Sequence, residues 1–155
     1  MRFLGISVVL LGVLIGIVFF SPSYQLGREA EQELEKGNFK EAHTLAAQSL
    51  QKDPYNRLAY AVESQSRQRL NIQKFLEDSK KNQESAFEIL KDGSLTTEEF
   101  LRLKWITEEF LRNHRTLLIL NQPNHQEKEQ LEQYKNWFES LKNRLEEIKQ
   151  KKNAK

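Results

Sequence analysis

Cysteine is absent from the 155 residues, so no disulfide, thiolate nucleophile or thiolate-bound metal can form, and either redox compartment is open to the chain. Proline and glycine are scarce, at three and six, which removes most of the residues that interrupt helices. Charge of one sign is lacking too: 24 basic against 22 acidic side chains leave a net +2, so no overall field draws a nucleic acid or an acidic substrate, and no nucleic-acid partner is expected. There is no glycine-rich phosphate loop and no Gly-x-Ser-x-Gly elbow. His43, His114 and His125 fall in separate segments, and none is read as having a second histidine or a carboxylate at the one-turn spacing of a helical metal pair. The chain is therefore expected to be no enzyme and to carry no metal and no cofactor. What is abundant is charge of both signs, 30% of residues and mostly the helix formers Glu, Lys and Arg, so the composition predicts an all-α fold.

Residues 3–20 are the sharpest feature, eighteen in a row without charge and with Ser7 as the single polar side chain. At 1.5 Å per residue a helix of that length reaches roughly 27 Å, close to the thickness of a hydrocarbon core. This predicts a transmembrane or signal-anchor segment over residues 1–23. Arg2 precedes it, so the start stays inside and the rest is carried to the periplasm or its equivalent. Ser21 and Ser23, small residues two apart, also offer a signal peptidase a site after Ser23, and cleavage there is the alternative. Gly12 and Gly16 form a Gly-x-x-x-Gly step, a candidate dimer face for two such helices.

From residue 24 the pattern turns helical, and Gly37 and Asn38 break two helix-like runs. Counted from Gly37, Ala30 stands seven residues before, Phe39 two after, Ala42 five after and Pro54 seventeen after, with Ala46, Ser49 and Leu50 between. Small residues at Ala30, Ala42, Ala46 and Ser49 let two antiparallel helices approach, Phe39 and Leu50 fill the space between them, and Pro54 stops the second. In these residues the chain resembles the tetratricopeptide repeat, with one clear repeat over about residues 23–56. Part of a second begins at Arg57, where Tyr60 and Ser64 take the large and small packing positions. The match fades after Leu70. Glu29 and Glu33 depart from the family pattern, standing where a leucine and an aromatic are usual.

The resemblance implies a concave groove lined by first helices. Its candidate residues are Gly27, Glu31, Leu34 and Glu35, then Leu58, Ala61, Gln65, Gln68 and Arg69. The Lys and Asn residues by which some members of the family clamp a carboxylate are replaced by Gly27, Glu31, Ala61 and Gln65, so that mode of binding is not expected.

In residues 72–91 apolar ends flank a polar middle at 77–85, whose centre is expected to be wet. Thr96 with Glu99, and Asn124 with Glu127, are capping boxes that start two further helices. The first carries Phe100, Leu103, Ile106, Phe110 and Leu117. The second carries Leu131, Tyr134, Phe138, Leu141, Leu145 and Ile148, a seam in steps of three and four that predicts an antiparallel pair across the short connection containing Pro123.

Together these readings predict an all-α chain: an N-terminal transmembrane helix, then a domain over residues 24–155 with tetratricopeptide-like hairpins at 24–70, divergent helices at 72–155 and a C-terminal antiparallel helix pair. The function expected is a membrane-anchored, single-pass adaptor or scaffold whose domain lies outside the cytoplasm and binds other envelope proteins. The alternatives are a cleaved periplasmic peptide-binding or chaperone-like protein, and a homo-oligomeric structural component.

Overall fold

The structure, a computed structural model, describes residues 21–91 and 93–153. These form five helices and no strand: α1 Pro22–Glu35, α2 Phe39–Lys52, α3 Arg57–Leu90, α4 Thr97–Asn121 and α5 His125–Asn153. The chain divides into two compact units after Leu70.

In the first unit α1 starts where the sequence supplies a start. Ser21 is extended, its Oγ accepts the Tyr24 amide at 3.2 Å, and Pro22 takes a position where its missing N–H is no loss. The helix ends in a Schellman turn. Asn38 N–H reaches Glu33 O at 2.9 Å, Gly37 N–H reaches Leu34 O at 3.1 Å, and Gly37 carries φ 82. A β-carbon at Gly37 would meet nothing within 4 Å, so glycine is required there by the backbone and not by space. Glu33 also serves the turn, its carboxylate accepting from Lys36 Nζ and Asn38 Nδ2 at 2.6 Å each. Those bonds, the Lys36 one foremost, hold its pKa below the ordinary carboxylate value.

The turn folds α2 back along α1. Ala30, Ala42 and Ala46 are fully buried, joined by Val62 of α3, with Leu34, Leu45 and Leu58 around them. Methyl groups at the crossing let the backbones come close, and dispersion contacts replace the larger side chains a wider spacing would need.

The second unit is a bundle of α4, α5 and the part of α3 from Asn71 onward. Thr96 and Glu99 close a reciprocal capping box on α4. Asn124 and Glu127 do the same for α5, through bonds of 2.7 and 2.9 Å. Between the helices Gln122 turns the chain in the left-handed region at φ 44. The seam pairs in reverse order along the two helices. Leu117 clusters with Leu131, and Phe110 stacks on Phe138 at 4.1 Å, so α4 and α5 run antiparallel. Leu103, Phe138 and Leu131 are fully buried, each such side chain contributing about 1.5–3 kcal/mol.

Three expectations need correction. The transmembrane helix is not found: among the described residues no helix is long and apolar enough to cross a membrane. The apolar run 3–20 on which it was placed, with Gly12 and Gly16, lies outside the described residues. Tyr60 is not a packing residue, being 66% exposed, and Ser64 is only half-buried. The inward side of α3 there is Ala59, Val62 and Ser66, because a helix that continues without a break presents steps of three and four from Ala59. The polar middle of α3 is not wet throughout, since Ser79 is buried. It keeps the seven-residue step from Ile72 to Ala86 by donating its hydroxyl to Phe75 O at 2.6 Å.

Candidate interaction surfaces

In the first unit three polar side chains meet where α1 begins and α2 gives way to α3. Ser49 Oγ donates to Ser23 O at 2.7 Å, and the two hydroxyl oxygens lie 3.1 Å apart. Asn56 Nδ2 reaches Ser23 O, Ser23 Oγ and Ser49 Oγ at 3.2, 3.0 and 3.1 Å, while its Oδ1 accepts the Ala59 amide at 3.1 Å and so caps α3. Ser23 and Ser49 are buried. Gly27 leaves room for the cluster, because a β-carbon there would come within 3.3 Å of Asn56 Nδ2. Ser49, expected as a packing residue, thus works through its hydroxyl, and Ser23, the residue before the candidate cleavage site, is an internal part of the fold.

The other repeat-packing residues divide by depth. Ala30, Ala42 and Ala46 are in the core, Phe39 and Leu50 are half-buried, and Gly37 and Pro54 are exposed at the turns. Of the groove candidates, Leu34 and Leu58 come together on the alanine cluster. Glu31, Gln68 and Arg69 are half-buried, and Glu35 and Gln65 are exposed. Near them Glu63, which sequence reasoning passed over, lies 3.3 Å from His43 Nε2 and 3.5 Å from Arg67 Nη1.

The second unit carries further openings. A cleft of about 420 Å³ between α3 and α5 is lined by Leu76, Glu77, Lys80, Gln83, Gln130, Gln133 and Tyr134, a mostly polar wall. A recess of about 240 Å³ at the start of α4 is mostly apolar, walled by Leu95, Phe100, Leu101 and Ile148, with Thr96, Thr97 and Lys149. Leu101 on its wall is 58% exposed, and Trp105, one turn further along α4, is 62% exposed. Trp137 packs on Phe87 at 5.2 Å and on Phe138 at 4.8 Å, so the two tryptophans differ: one belongs to the core's margin and one is open.

Among the histidines, His125 does have a carboxylate one turn on, Glu129 at 3.1 Å, on an exposed stretch of α5. No group of three or more His, Cys, Asp or Glu among the described residues could hold a metal. His114 is different. It lies in the core beside Phe75 and Phe110, with ring centroids at 6.4 and 5.7 Å, and its buried Nε2 has no hydrogen-bond partner among the described residues. Burial pushes its pKa below the ordinary imidazole value, and Lys135 adds to this while Glu132 and Glu139 oppose it. The unfolded chain therefore takes up a proton that the folded one resists. Stability is fully present above about pH 6.5 and falls as the pH drops below it, by at most about 1.4 kcal/mol per pH unit for one proton. Urea unfolding at about pH 7.5 and about pH 5.5 checks this: His114→Phe should show a smaller loss than the wild type, and equal losses would remove His114 as the cause.

Comparison of the chain with protein-family models, curated proteins and solved structures returns no match.

Proposed function

We propose that the chain is a membrane-associated helical adaptor, which holds another protein of the cell envelope outside the cytoplasm and works by binding, not catalysis. The observation that carries this reading is the pairing of an apolar recess with Leu101 and Trp105 on one face of α4. Large apolar side chains left in water at this spacing fit the apolar face of a partner helix, which would set a side chain into the recess. Tryptophan is among the commonest anchors of such contacts. The apolar run 3–20, as read from the sequence, supports placement at a membrane.

The likeness of the first hairpin to a tetratricopeptide repeat is part of the same proposal. It is supported by the buried alanines at the α1 and α2 crossing and by the glycine turn between them. Cleavage after Ser23, on which the exported alternative depends, would strip α1 of Ser21, Pro22 and Ser23, and with them its cap and its bonds to Ser49 and Asn56. That weighs for a chain retaining these residues.

The test uses the full chain in its native membranes, crosslinked and recovered as wild type and as Leu101→Asp with Trp105→Ala. Loss of an anchor of this kind weakens binding by about tenfold or more, so the partner recovered with the wild type should be lost from the variant while both melt alike. Recovery of the same partner by both would sink the reading of this face.

A further inference from the structure

We infer that the end of the first unit formed by the start of α1 and the α2 to α3 connection rests on an anionic lipid headgroup surface. The inference deepens the proposed membrane association and rests on it. Asn56 Nδ2 lies 3.0 Å from Ser23 Oγ, so the connection is fixed beside the start of α1. Ser23 is three residues from Phe20, where the apolar run ends, and the α1 cap is Ser21 itself. No linker separates the run from the hairpin. At no more than about 3.6 Å per residue, a membrane that holds residues 3–20 has this end within roughly 10 Å of its surface.

The side chains at this end suit that position. Tyr55 is 90% exposed and Tyr60 66%, and both line one surface recess with Pro54 and Arg57. Neither ring is used by the core, whereas tyrosine at a membrane boundary places its ring among the acyl margins and its hydroxyl among the headgroups. The charge agrees. Across residues 21–27 and 50–60 the charged residues are Lys52 and Arg57 against Asp53 alone, and Asp53 Oδ1 accepts the Tyr55 amide at 3.0 Å. The acids of the hairpin gather toward its other end, at Glu31, Glu33, Glu35 and Glu41, while Arg28 and Glu29 offset each other at the middle of α1. Helices α1 and α3 both begin at the basic end, and neither has an acidic residue in its first turn to neutralise its positive pole. Basic groups beside a membrane segment are drawn to anionic lipid headgroups.

The lack of cysteine makes the test clean. Gln51→Cys and Lys40→Cys, both at exposed positions on α2 and roughly 16 Å apart along it, each take a fluorophore on the full chain. The chain is reconstituted into phosphatidylcholine vesicles containing phosphatidylglycerol and a headgroup-linked quencher. Quenching at residue 51 should exceed that at residue 40 by about threefold or more, and Lys52→Glu with Arg57→Glu should reduce it. Equal quenching at the two positions on a chain that floats with the vesicles overturns the docking inference and leaves membrane association standing, as does indifference to the charge reversal. A chain that does not float with the vesicles overturns both.

Discussion

Phe138→Ala is expected to lower the stability of the second unit by about 3–5 kcal/mol, the largest effect of any single substitution considered. Phe138 is fully buried, stacks on Phe110 at 4.1 Å and meets the edge of Trp137 at 4.8 Å. Its ring is the point where the α4 and α5 seam meets the cluster that also holds Ala86 of α3. Truncation removes the transfer energy of the ring and leaves a hole that three helices cannot close without shifting their backbones. The measurement is thermal unfolding followed by circular dichroism, in which a loss of that size lowers the midpoint by about 10 °C or more. Phe138→Leu, which keeps most of the volume, should lose less than half as much. Equal losses for the two variants would mean that the aromatic contacts, and not the filled volume, set the stability.

Asn56→Ala is expected to cost about 2–3 kcal/mol. Roughly 1 kcal/mol is the cap on α3, and the rest is the loss of a donor to buried oxygens of Ser23 and Ser49. The two serines still bond to each other, which limits the penalty. Asn56→Asp separates the contributions. A carboxylate still accepts the Ala59 amide and keeps the cap, yet it has no proton for the Ser23 carbonyl, and the two serine hydroxyls can donate to it only by giving up their present acceptors. The aspartate variant should therefore be at least as unstable as the alanine one. Denaturant midpoints for the three proteins decide it, and an aspartate variant as stable as the wild type would show that the cluster contributes nothing beyond the cap.

Where the sequence was legible, a short-range rule was at work. Thr96 with Glu99 and Asn124 with Glu127 are satisfied within one turn of helix, so spacing alone identifies them. The seam from Leu131 to Leu145 repeats often enough to outweigh any single residue, and Gly37 stands where the backbone must turn left-handed.

What was hidden depends on partners distant in sequence. Ser79 reads as a solvated residue in a polar run, and only the carbonyl of Phe75 inside a packed helix makes its burial tolerable. His114 stands four residues after Phe110 and three before Leu117, in the seam, but a polar ring at that step reads as a gap in the apolar pattern and not as part of the core. Asn56 looks like a turn residue, and its second role needs Ser23, 33 residues away. Tyr60 was misplaced because a repeat register was carried into a helix that does not follow it. The interaction surfaces were the least legible. Leu101 and Trp105 fall opposite the α4 seam of Leu103, Ile106 and Phe110, yet spacing alone does not show that both stay in water instead of meeting another helix.

The 34 residues of α3 contribute to both units, with the division falling between Leu70 and Asn71 inside the helix. A protease needs several residues of extended chain with free amides, and at this division the backbone is held in helical bonds. Cutting there would also leave four carbonyls and four amide groups without partners at the new helix ends. The vulnerable stretch is instead the non-helical connection before α4, around the exposed Gly93 and Ser94. Digestion would therefore open the second unit internally before it could release the two units as separate pieces.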